Sequence, residues 1–597
     1  MAEEEKAEEK KTKRKLRKET KGKKNTVKEF QIAYRTLEDP KKFYRTILFP
    51  LIFLGVIVFC MPFIFQLVLP IPLDMNPLTF MLGGIVPILL GVLYPYISWK
   101  NKESDINGKM HFFITHMRVL AISDLPLKDI IIVLGGNKAY GSLGEEMRKI
   151  SVLSEQWRVP LAKSFRFVSE RTPSKIFRDF LDRFSQSLDS GVEHREFIEN
   201  EQGAVLQEYK TMYESSNDNI TILSEVYTSM LISIMFIMTL GIVLPMLMGT
   251  SDMNTFLFMS SFMLLASEGL LLYLLKSMIP PDEIWHRTGQ KGELEKKIEK
   301  SFKISVIFCI VIGVVFFVTK YYLAIPIMQS IPLEIIIALS LTPLILPGIK
   351  TIREEDFITR KERSYMGFLP ALGSISTMRG GRINDSVYYL SEKDYGVLSK
   401  HVRDLYRRLR TRINDDSAWE WFGVDTGSNY IQRSCEMFRQ ATAAAANPRT
   451  VSRMITENIR KIRDLRMKKF TLVKTTAALF AGITFGISFA IYISLVVGKH
   501  MNDIMLATKT GQPFEGTGID MGAILSTVPP ETFANSFTII FLVLVLHCVM
   551  MSLTIRALRG SHKYAALFYF VPFLWILTLT AVTVTILLGG YFTVPSP

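Results

Sequence analysis

Residues 475–497 read TTAALFAGITFGISFAIYISLVV. The run carries no charged side chain. It is long enough to cross the roughly 30 Å of bilayer hydrocarbon, which takes about 20 apolar residues in an α-helix. Working outward, eight further runs of this kind appear, at 47–69, 78–97, 226–248, 256–275, 304–324, 328–348, 533–555 and 565–588. Nine spanning helices predict an all-α, polytopic membrane protein. Lys320 and Glu334 interrupt the third pair, near its outer turn, where long side chains reach the interface.

Charge gives these spans an orientation. The 597 residues carry a formal charge of +15, and 48% of them are apolar, with a mean hydropathy of +0.22. A basic soluble protein would suggest nucleic acid. Here the positive charge sits in loops between spans, as the cytoplasmic loops of membrane proteins do, and no nucleic-acid partner is expected. The turns 70–77 and 249–255 hold no Lys or Arg, and outer loop 498–532 has only Lys499 and Lys509 against four acids. The inner loop 276–303 is rich in Lys, and Arg556, Arg559 and Lys563 fill the last inner turn. This pattern predicts a cytoplasmic N-terminus and an extracytoplasmic C-terminus. Residues 1–46 read as a charged tail. Its first 30 residues lack the apolar core and cleavage site of a signal peptide. The four cysteines form no CxxC pair; Cys60, Cys309 and Cys548 lie in apolar runs and Cys435 in a polar one, so each reads as a packing residue.

Two long polar stretches remain inside, 98–225 and 349–474. They separate spans 1–2 (47–97), spans 3–6 (226–348) and spans 7–9 (475–597). Both are read as helical bundles. Leu398, Val402, Leu405 and Leu409 form one helical stripe, and Leu143, Met147 and Ile150 another. The stripes lie in matching sequences: YGSLGEEMRKI from Tyr140 and YGVLSKHVRDL from Tyr395, 255 positions apart. His116-Met117-Arg118 pairs with Thr377-Met378-Arg379, and Phe184-Ser185-Gln186 with Phe438-Arg439-Gln440, in the same order. Such ordered matches at nearly constant offset indicate a duplicated domain. Pro126, Pro160 and Pro173 mark helix starts or breaks in the first copy. Asn384-Asp385-Ser386 and Asp415-Asp416-Ser417 offer caps in the second.

FFITHMRVLAISDLPLKDIIIVL from Phe112 and VPLAKSFRFVSERTPSKIFRDFLDRFSQSLDSGVE from Val159 resemble the helical module of the type II secretion system F-domain family. The second copy departs from it, with Gly380-Gly381-Arg382-Ile383-Asn384 in place of the Pro-Leu element, so its assignment leans on the repeat. Two modules among nine spans are most similar to the archaellum assembly platforms within that family. The resemblance implies a cell-membrane anchor beneath a filament of pilin-like subunits. It implies that a cytoplasmic hexameric secretion ATPase docks on the modules and drives subunit insertion. An adhesion-pilus platform is the close alternative.

No active-site constellation is present, and neither an enzyme activity nor a cofactor is expected. Gly135-Gly136-Asn137-Lys138-Ala139-Tyr140-Gly141-Ser142 lacks the Gly-Lys-Ser/Thr ending of a phosphate-cradling loop. His111 and His116 are five apart, off a single helix face, and read poorly as a metal pair. Candidate ATPase contacts are Arg403, Arg407 and Arg410 at i, i+4, i+7, with Arg408 and Arg412 nearby; Lys291, Lys296 and Lys297 form a second cluster. Cationic patches of this kind orient an acidic partner, although a solvated face or lipid headgroup contact reads the same way. Glu268 and His547 lie mid-span. Such groups form either buried interhelical hydrogen bonds or a proton or ion path, and the second option keeps a secondary transporter in view. Gly482, Gly486 and Ala490, spaced four apart, offer a close-packing face, internal or between two copies in a homodimer.

Overall fold

A computed structural model describes residues 34, 43–53, 55, 56, 59, 77–123, 125–248, 253–280, 282–286, 290, 292–323, 326–411, 414–510 and 530–591. Among these the chain is almost wholly helical. The β pairing seen there is an isolated bridge between Trp285 and Ser428. The helices are α1 (Pro77–Ala121), α2 (Leu127–Gly136), α3 (Ser142–Glu155), α4 (Leu161–Ser169), α5 (Lys175–Asp189), α6 (His194–Met248), α7 (Met253–Met278), α8 (Glu293–Phe317), α9 (Leu333–Leu341), α10 (Ile345–Met378), α11 (Ile383–Ser391), α12 (Ser399–Arg410), α13 (Asp415–Thr426), α14 (Asn429–Ala443), α15 (Pro448–Thr510), α16 (Pro530–Arg559) and α17 (Ala566–Tyr591).

Seven helical stretches among the described residues are long and apolar enough to cross a membrane, and they match the last seven expected spans. Of the other two, 78–97 lies on α1, and 47–69 falls largely outside the described residues. So do the tail before residue 43, apart from Tyr34, and residues 511–529 of the outer loop. On α8, Ile307, Phe308 and Ile310 are more than half exposed, an apolar surface that suits lipid and not water. The interrupted pair holds up as spans. Its outer turn is closed by Lys320, whose Nζ donates to the Ile331 carbonyl at 2.8 Å. The returning helix α9 starts at Leu333, later than the expected 328, because Pro332 occupies its N-cap and fixes the entry.

The two expected copies share one order of elements. After α1 come α2, a 3₁₀ turn at Lys138–Tyr140, α3, α4, α5 and α6; after α10 come α11, a 3₁₀ turn at Gly396–Leu398, α12, α13, α14 and α15. The shared Tyr-Gly has a physical reason: Gly141 and Gly396 both take positive φ, 52° and 58°, which a side chain disfavours. Ser174 and Ser428 cap α5 and α14 alike, each accepting a backbone N–H three residues on, at 3.2 Å. Both predicted stripes are buried. The α13 cap is Asn414, one residue before the expected Asp415, which instead lies in the first turn with Asp416.

The fold groups into two compact units, Met1–Asn107 with Lys149–Gly191, and Gly108–Arg148 with Val192–Pro597. In the first, Phe165, Phe177, Phe180 and Phe184 stack into one aromatic core, and Ser185 Oγ donates to the Ala162 carbonyl at 2.9 Å. In the second, α6, α7, α15, α16 and α17 share an apolar core, while α10 to α15 form the second bundle. Helices α6 and α15 run 55 and 63 residues without a break, polar at first and apolar after. The borders expected near 225 and 474 are therefore changes of side-chain chemistry and not of backbone.

Candidate functional site

The second bundle presents the basic face. Leu398, at the end of the 3₁₀ turn, and Val402, Leu405 and Leu409 on α12 are buried, which leaves Arg403, Arg407 and Arg410 exposed. Arg407 reaches Asp404 at 3.3 Å. Arg408 is half-buried: it bonds Asp425 at 2.6 Å, with its guanidinium 6.0 Å from the centre of the Trp421 ring. Lys296 and Lys297 are exposed in the first turns of α8, a helix packed on α10. Arg412 and Lys291 lie outside the described residues.

The two intramembrane candidates meet. Glu268 on α7 and His547 on α16 are both 0% exposed, and His547 Nδ1 bonds Glu268 Oε1. Tyr227 OH on α6 donates to the same oxygen at 3.4 Å, and Thr484 Oγ1 on α15 lies 3.2 Å from His547 Nε2. Four spans thus converge on one polar cluster. The close-packing candidates point elsewhere: a Cβ built at Gly482 or Gly486 would meet nothing within 4 Å, so that face of α15 is not used inside the bundle.

A third site escaped the sequence reading. Between α7 and α8, residues Asp282–His286 form a strap laid across the root of the second bundle. His286 N–H donates to the Gly427 carbonyl at 3.2 Å, Asn429 N–H to the Ile284 carbonyl at 3.1 Å, and Ile284 N–H to the Gly560 carbonyl at 3.4 Å. Gly560 has φ 71°, and a Cβ there would overlap the Asp282 carbonyl. Asp282 is the anchor. Arg466 of α15 grips both its oxygens, Nε at 2.9 Å from Oδ2. Tyr213 of α6 donates to Oδ2 at 3.1 Å and Tyr430 of α14 to Oδ1 at 3.0 Å. Arg466 also bonds Glu362 of α10 at 3.3 Å, and Lys469 stands 3.9 Å from Asp282. Burial works against the Asp282 charge, but Arg466 and Lys469 hold its carboxyl well below the usual carboxylate range. One helical turn or more away on α10, Glu355 accepts from Trp285 Nε1 at 3.2 Å, Ser561 Oγ at 2.8 Å and His562 N–H at 3.0 Å, beside Arg559. Buried ion pairs survive when the remaining lone pairs are also bonded, and here they are. The signal available in the sequence was faint: one Asp after Pro280-Pro281, and one Arg among many ahead of an apolar run.

His111 and His116 are buried, and burial holds both down at about 3, so they are neutral. His116 Nδ1 lies 2.9 Å from Tyr140 OH, and His111 packs 4.8 Å from the Tyr209 ring. They belong to the contact between the copies, where Arg433 Nη2 donates to the Ala139 carbonyl at 2.9 Å and Asn137 Nδ2 to Glu436 at 2.8 Å. Among the described residues no group of three or more His, Cys, Asp or Glu is placed to hold a metal ion.

These features define a multi-pass, all-helical membrane protein with two helical modules of like element order. The family model described as Type II secretion system (T2SS), protein F matches residues 113–245. "Flagella accessory protein J" of Methanococcus voltae is 34% identical over 85% of this chain and 90% of its own length. Its namesake from Methanocaldococcus jannaschii is 31% identical over 84% and 88%. An uncharacterised protein of the same organism, MJ1286, is 23% identical over 24% of each chain. The chain belongs to the Flagella accessory protein J family. No solved structure matches it significantly.

Proposed function

We propose that this protein is the membrane platform of an archaellum, a type IV pilus-like assembly machine, which docks a hexameric cytoplasmic secretion ATPase and couples its cycle to insertion of pilin-like filament subunits. The observation that carries this reading is mechanical. Helices α6 and α15 leave the modules and enter the apolar bundle as single rods, and the buried Asp282–Arg466–Glu362 joint ties both to α10 and the strap. A push on the modules would therefore reach the spans instead of dissipating in a linker. The exposed Arg403, Arg407 and Arg410 supply the docking charge. The relatives' name favours the archaellum over an adhesion pilus. The charge asymmetry of the loops supports a cytoplasmic N-terminus and an extracytoplasmic C-terminus. The open Gly482–Gly486 face of α15 supports pairing with a second copy, and Gly482→Leu with Gly486→Leu should abolish dimer cross-linking.

The test is pull-down of the ATPase by full-length protein carrying Arg403→Glu, Arg407→Glu and Arg410→Glu. Capture should fall while the variant stays in the membrane fraction. Undiminished capture refutes the docking face.

A further inference from the structure

The Glu268–His547 cluster sits where the repeated halves of the bundle meet. The first module is followed by α6 and α7, which supply Tyr227 and Glu268. The second is followed by α15 and α16, which supply Thr484 and His547. Helix α7 packs along α16, and α6 along α15. The acid therefore comes from one half and the base from the other.

The hydrogen bonds fix how many protons the cluster holds. Thr484 has one hydroxyl hydrogen, and it is given to the Phe480 carbonyl at 2.8 Å. Its oxygen must then accept from His547, so Nε2 carries a hydrogen. Nδ1 faces Glu268 Oε1, and between them lies a single proton, held on either side: imidazolium and carboxylate, or imidazole and carboxylic acid. Both arrangements are neutral overall. Losing that proton leaves a bare carboxylate in hydrocarbon, and gaining another leaves a bare cation. Glu268 Oε2 is buried with no hydrogen-bond partner, so nothing else is placed to compensate a net negative charge. The titratable groups facing the pair are the Tyr227 phenol from α6 and the Cys548 thiol from α16, while α15 presents Thr484.

We propose that Glu268 and His547 form an intramembrane proton-binding site that joins the two halves of the bundle, and that parting α7 from α16 exchanges one proton with water. The direction follows from the free groups, whose ordinary values are about 4.3 for Glu and about 6.5 for His. Above about 6.5 the parted groups are carboxylate and neutral imidazole, so parting releases the proton. Between the two values it releases none. Below about 4.3 it takes one up. The parted state binds fewer protons than the packed state above about 6.5, so the packed state weakens there, by about tenfold in equilibrium per pH unit. This inference does not depend on which protein docks below.

The experiment is the thermal midpoint of the full chain in lipid nanodiscs from pH 7.5 to 9, above the range where the buried His111 and His116 contribute a slope, for the natural sequence and for Glu268→Gln with His547→Gln. The natural protein should lose stability as pH rises, and the double variant should lose markedly less. Parallel profiles overturn the proposal. If the double variant does not fold, Glu268→Gln alone should lose markedly less than the natural protein over the same range, and a slope equal to the natural one overturns it equally.

Discussion

The polar cluster between the spans and the joint beneath the second bundle both bury an acid against a base, and they solve the problem differently. At the joint, Asp282 receives hydrogen bonds on both oxygens from Arg466, with Tyr213 and Tyr430 added. Arg466 cannot lose its proton under any condition the protein meets. The Asp282–Arg466 pair is therefore charged throughout the range near neutrality, while burial pushes the neighbouring Glu362 carboxyl up and the Lys469 amine down. The membrane cluster has one link between acid and base, and one carboxylate oxygen left over. It stays neutral only by keeping its proton. A fixed clamp thus lies at the root of the modules, and a proton-dependent one lies within the spans.

The sharpest way to break this contrast is Arg466→Met. It strands Asp282 and Glu362 in a site where Arg466 is 1% exposed, and stranding a buried charge costs about 3–5 kcal/mol. Thermal unfolding in nanodiscs at pH 7 should show that loss. Adding Asp282→Asn and Glu362→Gln should return part of it, because the two acids are no longer stranded, while the buried Lys469 loses its partner Asp282 and keeps the rescue incomplete. A loss below about 1 kcal/mol for Arg466→Met would mean that the joint clamps nothing.

Next comes acid. His111 and His116 are neutral when folded, with values held at about 3 against about 6.5 when unfolded. Their contribution is complete above about 6.5 and is lost as pH falls from there toward 3. At pH 5.5 the two together should cost roughly 2–3 kcal/mol relative to pH 7.5. Asp282, depressed in the folded state, adds its own loss only below about 3.9. A melting series between pH 7 and 5 on His111→Gln with His116→Gln checks the assignment: the acid slope should flatten. An unchanged slope would place the titrating groups elsewhere.

Gly560→Ala probes the strap with a smaller push. The φ of 71° alone costs a side chain about 1–2 kcal/mol, and the new methyl meets the Asp282 carbonyl. The effect should reach the joint, read as faster proteolysis at 282–286, while the membrane cluster keeps its pH response.

The two sites also differ in how visible they were. Glu268 and His547 stood out because each is the lone acid or imidazole inside an apolar run, where the cost of a charge makes any exception informative. That contrast does not reveal which groups pair, since helix packing alone brings α7 against α16. Asp282, Glu362 and Arg466 had no such contrast. They sit among dozens of charged residues, and their burial depends on a strap crossing from another part of the chain. The repeat was legible from Tyr140-Gly141 and Tyr395-Gly396 because a positive φ constrains residue type in both copies. The continuity of α6 and α15 was not, because hydropathy reports solvent and not backbone.

The smallest effect on stability belongs to the basic face, and there the smallness is the point. Arg403, Arg407 and Arg410 are exposed on the side of α12 opposite its buried stripe. Exposed charges contribute little to folding and are screened by salt. Reversing all three should leave the melting temperature of the full chain within error of the natural protein. Capture of the ATPase should nevertheless fall, most strongly at low salt, since fixed surface charge acts on encounter and orientation more than on the fold. Arg408→Glu should behave in the opposite way, because that half-buried side chain is bonded to Asp425: stability drops and the salt dependence of docking is kept. If Arg408→Glu instead abolished docking with no change in melting, the inward assignment of Arg408 would be wrong, and the docking surface would extend toward α13.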